Sequence, residues 1–239
     1  MKHPLLLVMV MVMAMALLSG CDNKSADFSP QMKNYAYLYQ FEAIPGNVKS
    51  THQRLFSADG TPLFDVDIAF DQQGCVTHVK SIDKAGEITE VTRSGEQLTG
   101  TENGQDVVVT LNKQCAVIKK VTPTMAVDIA YNAQGWVDQI SSPASDVKFH
   151  LTYNKAGDMT LLSIMKGDET LSRASAVHDA DVKKISDVIT TVQRNNQSKT
   201  VSTHCKYKND VPYYCDTLTT DADGKLIDKQ YGTIEVTYY

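Results

Sequence analysis

Five cysteines, at positions 21, 75, 115, 205 and 215 of a 239-residue chain, are the residues whose type and spacing most invite chemistry. The last four invite pairing. Nine residues separate Cys205 from Cys215, and a hairpin with the three-residue loop Asn209-Asp210-Val211 sets the two face to face, within disulfide reach. Four cysteines allow three connectivities; this one leaves Cys75 to pair with Cys115. On a chain-entropy view the longer loop contributes about 4 kcal/mol and the shorter about 3 kcal/mol. A metal site is not expected, because there is no Cys-x-x-Cys. His52, His78, His150, His178 and His204 form neither His-x-His nor His-Glu-x-x-His. Gly-x-Ser-x-Gly and the glycine-rich phosphate loops are also absent, so no catalytic residue and no cofactor is assigned. Asp65, Asp67 and Asp71 lie at or near period two and could share a strand face as the carboxylates of an envelope hydrolase. The plainer reading is a solvated face.

Cys21 belongs to different chemistry. Residues 5–18 are an uncharged apolar run of 14 residues behind Lys2, and five of the nine methionines fall within the first fifteen positions. A membrane span needs about 20 apolar residues, so the run suits a secretory leader instead. It ends in Leu18-Ser19-Gly20-Cys21, which resembles a bacterial lipobox at every position. That resemblance implies an S-diacylglyceryl group and an N-acyl chain on Cys21. Each buried methylene contributes about 0.8 kcal/mol, so three chains hold a protein at the membrane durably where one does not. Asp22 resembles the enterobacterial signal that keeps a lipoprotein in the inner membrane, facing the periplasm. Residues 1–20 are thus read as a removed leader, 21–30 as a lipidated tether and 31–239 as one β-rich periplasmic domain. Residues 23–30 reach on the order of 15 Å. Cleavage before Cys21 leaves 219 residues and takes the formal net charge from −5 to −6, which argues against a basic nucleic-acid binder.

The elements that position these residues are announced by a turn. An Asp, Asn or Ser is followed two or three residues later by Gly at 57–60, 71–74, 83–86, 132–135, 154–157 and 221–224. Asp or Asn opens such a turn by bonding nearby amides, and Gly supplies the positive φ of a type I turn with a glycine bulge. Between turns the chain is β-branched and aromatic, as at 107–111, 127–131, 147–153 and 234–238. Tyr35, Tyr37, Tyr39 and Phe41 alternate at period two and are read as one face of a strand. Residues 176–193 are read as a strand, with a short helix at their start as the alternative. Residues 143–146 and 167–179 are the most linker-like. The whole is predicted to be all-β: an antiparallel meander of ten to fourteen strands, curled into a barrel, half-barrel or sandwich, with at most one or two short helices.

Several features together resemble a known family. They are the lipobox with Asp22, Phe28-Ser29-Pro30-Gln31-Met32, Pro45-Gly46-Asn47-Val48-Lys49 and Gly74-Cys75 with Cys115. Asn195-Asn196-Gln197, the Cys205–Cys215 hairpin with Val211-Pro212, and Tyr238-Tyr239 continue the match. The family is the uncharacterised enterobacterial lipoprotein family typified by YnfC. The resemblance implies a lipid anchor and a cell-membrane location, and it supplies no activity.

The function expected is that of a lipid-anchored envelope protein, a non-catalytic binding or structural module. Its partner would be the membrane through covalent lipid, with an envelope protein or small ligand of unknown identity as a further partner. Exposed rings among Tyr35, Tyr37, Tyr39 and Phe41, with Tyr213, Tyr214 and Trp136 behind them, would make the contact, although Phe41 and Trp136 are read as core residues in preference. A carrier of lipid or another small ligand is the alternative, and an envelope hydrolase comes last.

Overall fold

In the computed structural model the described residues are 28–29, 31–179, 184, 186–195 and 197–239. Cys21, Asp22 and residues 180–183 and 185 lie outside them, so the expectations for the anchor and for part of 176–193 fall there too. One helix, α1 (Met32–Tyr39), precedes sixteen strands. These are β1 (Val48–Ser57), β2 (Pro62–Phe70), β3 (Val76–Asp83), β4 (Ile88–Ser94), β5 (Gln97–Glu102), β6 (Gln105–Leu111), β7 (Val117–Val121) and β8 (Ala126–Tyr131). Then come β9 (Val137–Ser141), β10 (Val147–Tyr153), β11 (Met159–Lys166), β12 (Glu169–His178), β13 (Val188–Arg194), β14 (Gln197–Lys208), β15 (Val211–Thr220) and β16 (Leu226–Tyr238). Each strand pairs antiparallel with its neighbours in sequence, and β16 returns to β1 with Val48 opposite Tyr238, closing a barrel. Closure leaves no unpaired edge.

The turns do what their side chains dictate. Asp71 Oδ1 accepts the N–H groups of Gln73 at 2.9 Å and Cys75 at 3.0 Å, and Gly74 takes φ +79°. Asp83, Asn132, Asn154 and Asp221 repeat the pattern. Register shifts at Ala69/Phe70, Ala130/Tyr131, Thr152/Tyr153 and Thr219/Thr220 are the bulges such turns require. A further copy was hidden. Asn112 accepts from Gln114 and Ala116, both at 2.9 Å, but the left-handed position is Cys115, at φ +57°, so a search for glycine passes over it.

Three sequence expectations need correction. The strand count is sixteen, above the ten to fourteen predicted, because tight loops such as Asn103-Gly104 and Gly167-Asp168 connect strands without the longer turn. Residues 169–178, read as linker-like, are β12. Residues 35–39 are helical, since the stripe that decides burial is Met32, Tyr35 and Ala36, at helical spacing, and these are buried while the period-two alternation is incidental. The helix stops at Gln40, whose φ of +57° is the left-handed cap.

Candidate functional site

α1 caps one end of the barrel by reading three turns with three successive residues. Lys33 Nζ donates to Ala156 O at 2.8 Å and Asp158 Oδ1 at 2.7 Å. Asn34 Nδ2 donates to Gly135 O at 2.9 Å, and its Oδ1 accepts from Val137 N at 3.2 Å. The Tyr35 hydroxyl donates to the Cys115 carbonyl. Ser29 packs where a Cβ on Gly74 would stand, 2.4 Å away. The Cys75–Cys115 disulfide joins two of the turns beneath the helix, with Cα atoms 5.7 Å apart. Burial pushes the Tyr35 pKa up to about 12, against a hydrogen bond from the Val76 backbone and the Arg93 charge.

Below α1 the barrel is not filled. A cavity of about 300 Å³ runs from Leu38 and Tyr39 between β3 and β9. Its walls are mixed: Val91, Val107, Val109 and Ile129 turn inward, beside polar residues such as Ser81, Asp83, Thr89 and Asn103. One ion pair interrupts them: Lys120 Nζ and Glu102 Oε1 are 2.5 Å apart, with both side chains more than two-thirds buried. The sequence carried a signal for this pair. Lys119 and Lys120 are consecutive in β7, so one of them must face inward. A chamber with aliphatic and polar walls and one charged pair suits holding an apolar group beside a polar one.

The outer face is the opposite in character. His52, Arg54, Asp65, Asp67, Lys80 and Glu90 sit at outward positions in mid-strand. Cross-strand pairs link Arg54 to Glu235 at 3.0 Å and Lys80 to Glu90 at 3.6 Å. Outward apolar residues occur in cross-strand pairs such as Ile82 with Ile88 and Val177 with Ile189, and in a stack of Phe56, Tyr231 and Tyr214. A lipid-facing barrel wall carries a continuous apolar band and suffers about 2–4 kcal/mol for each basic residue at mid-depth. Among the described residues no helix is long and apolar enough to cross a membrane.

The other residues singled out in the sequence distribute as follows. Cys205 is bonded to Cys215 across β14 and β15, with Cα atoms 4.0 Å apart. The loop between them is the two-residue Asn209-Asp210, both at positive φ, with a register shift between Lys206 and Tyr207, opposite Tyr213, in place of the third loop residue expected. Asp65 and Asp67 share the outer face, where His52 Nε2 lies 3.0 Å from Asp65 Oδ1 and Nδ1 lies 3.9 Å from Asp67 Oδ1. These three side chains could hold a cation, on an open convex surface, and a search for contiguous metal motifs passes over them because they span two strands. Asp71 does not join them: it is spent on its turn and on Arg93, at 3.0 Å. Asp65 and Asp67 thus stand on a solvated strand face, the plainer of the two readings, and this trio forms no carboxylate pair in a cleft. Tyr35 and Phe41 are buried and cannot be a contact face, whereas Tyr213 is 47% exposed. Tyr214 stacks on Tyr231 on the outer wall, and Trp136 packs against Tyr153 at 6.0 Å.

Comparison with known proteins places these features. The profile of the uncharacterised protein family UPF0257 matches residues 1–239. A relative from Salmonella dublin named UPF0257 lipoprotein YnfC is 26% identical over 250 residues, covering 100% of both chains. One of the same name from Escherichia coli O81 (strain ED1a) is 22% identical over 228 residues, covering 93% of this chain and 95% of the relative. Among solved structures, a porin-like protein from Bacteroides uniformis aligns with a TM-score of 0.56 at 11% identity, covering 80% of this chain and 98% of that one. That likeness is one of fold, and the charged outer wall sets this barrel apart from a lipid-facing one. With the whole length matched, the chain belongs to the uncharacterised family UPF0257.

Proposed function

We propose that the protein is a lipid-anchored, non-catalytic binding module of the cell envelope, held at the inner membrane and facing the periplasm, whose barrel accommodates a small, largely apolar ligand. The observation that carries this reading is the cavity of about 300 Å³, part aliphatic and part polar, inside a barrel with a charged exterior. Pockets of roughly 300–1,000 Å³ with apolar walls and few polar groups are the common form of small-ligand sites. Residues 1–20 act as the leader, Cys21 takes the lipid, Asp22 sets the address and residues 31–239 form the body.

The ligand reading is tested with the full chain in detergent, using N-phenyl-1-naphthylamine as the fluorescent reporter and decanoic acid as competitor. Saturable binding that decanoic acid displaces, and that Val109→Trp abolishes in a folded protein, is expected. Binding that is unsaturable or unchanged in Val109→Trp would overturn the cavity as the site. For the anchor, labelled palmitate is incorporated by the wild type and not by Cys21→Ser, and Asp22→Ser shifts the protein toward the outer membrane.

A further inference from the structure

A second cavity, of about 230 Å³, opens at the capped end of the barrel. Rings of Phe28, Tyr37, Phe41 and Tyr153 line it, and its polar groups include Glu42, His178 and Ser186. Glu42 is held in place through its backbone: its N–H donates to Gln53 Oε1 at 2.7 Å, and its carbonyl accepts from Gln53 Nε2 at 2.9 Å. Gln53 is itself only 7% exposed, so β1 fixes the backbone from which this carboxyl projects. The surrounding protein pushes the Glu42 pKa up, while a hydrogen bond from Ser186 and the nearby His178 act the other way.

His178 Nε2 lies 2.8 Å from the Met159 carbonyl. A nitrogen facing a carbonyl carries the proton, so in the neutral ring Nδ1 holds the lone pair. That Nδ1 is buried and has no hydrogen-bond partner. Lys33, the cation beside the cavity, is already committed to Asp158 and Ala156, and its ammonium lies 4.6 Å from the centre of the Phe28 ring. The cavity thus offers a carboxyl group and a serine oxygen as acceptors among ring faces, with the His178 ring in its wall.

An ammonium group bears three donors and one positive charge, and it is attracted to ring faces. We propose that this cavity binds a primary ammonium group, with Glu42 as counter-ion and Ser186 Oγ accepting a further N–H bond. A hydroxyl in the same place leaves Glu42 uncompensated. A quaternary ammonium has no N–H to give Glu42 or Ser186, and an anion meets Glu42. The amine has two sources, a soluble amine or the ethanolamine headgroup of a phospholipid. Phe28, in the wall, is seven residues from Cys21, and seven residues span at most about 25 Å, so a lipidated Cys21 keeps the cavity near headgroups.

The experiment uses the full chain in dodecyl maltoside and the fluorescence of Trp136, the sole tryptophan, which lies 5.9 Å from the Lys33 ammonium. 2-Phenylethylamine is titrated against 2-phenylethanol and the trimethylated amine, and dihexanoylphosphatidylethanolamine against its choline counterpart. The amine is expected to bind about tenfold or more tighter than either control, and Glu42→Gln to lose about tenfold. Preference for the ethanolamine lipid over 2-phenylethylamine assigns the site to headgroups; the reverse assigns it to free amines. Equal responses to amine and alcohol in the wild type, a comparison that needs no variant to fold, would overturn the proposal. So would a folded Glu42→Gln with wild-type affinity.

Discussion

The two arcs of this barrel are built on different terms. From β2 to β10 the most deeply buried inward positions are aliphatic, among them Val66, Ile68, Val79, Leu98, Val109 and Leu151, each at most 2% exposed, with Ser81, Thr89 and the Lys120–Glu102 pair as polar exceptions. From β12 to β16 the inward positions include Ser172, Thr190, Lys199, Thr203, Thr217 and Gln230, and the buried apolar residues thin out to Ala176, Cys215 and Ile234. The difference follows α1, whose contacts are with the turns at residues 112–116, 132–136 and 154–158. Where a partner excludes water, the lumen is apolar. Elsewhere, the ladder of backbone hydrogen bonds and the Cys205–Cys215 bond carry the wall. Burial secures one arc and connectivity the other.

This contrast can be broken most sharply at Tyr35, which is fully buried. Tyr35→Ala should cost about 3–5 kcal/mol in denaturant unfolding, as large aromatic truncations do. Thr217→Ala, its counterpart in the polar arc, should cost less than about 1 kcal/mol; equal costs would erase the distinction. Next in size, removing the Cys205–Cys215 bond by paired Cys→Ala substitution should cost about 3 kcal/mol from loop entropy, seen as a lowered Tm.

A comparable effect appears at high pH. The Tyr35 pKa is raised to about 12 in the fold, against 10.0 for the free side chain. Its contribution is fully present below pH 10 and is lost as pH climbs toward 12, because the unfolded chain releases this proton first. The loss is about 3 kcal/mol at the upper limit. Tyr35→Phe should flatten that alkaline slope, and an unchanged slope would assign it to other tyrosines. The smallest effect belongs to the outer wall: Lys80→Ala, removing the pair with Glu90, should change stability by about 0.5 kcal/mol or less.

The turns were legible in the sequence because their chemistry is local: an Asx side chain and one positive φ suffice. Cys115 escaped because a disulfide partner and a helix above it hold a non-glycine residue in that conformation. The helix escaped for the complementary reason. Tyr35, Tyr37 and Tyr39 alternate as a strand would, and only the three-dimensional lid position makes Met32, Tyr35 and Ala36 the face that counts. The acceptor-rich cavity draws Glu42, His178 and Ser186 from three distant stretches, which no linear motif records.

The seam between β1 and β16 has a consequence for how the molecule is made. It joins Val48 to Tyr238, so nearly the whole folded length must be in place before this pairing can form. Contacts of such long sequence separation make for slow folding. Until the seam shuts, the outer edges of β1 and β16 present unpaired amides to any neighbouring chain. Before closure the chain therefore passes through an interval as an open, adhesive sheet. A factor that shields either edge during that interval would raise the yield of closed barrel without changing its final stability.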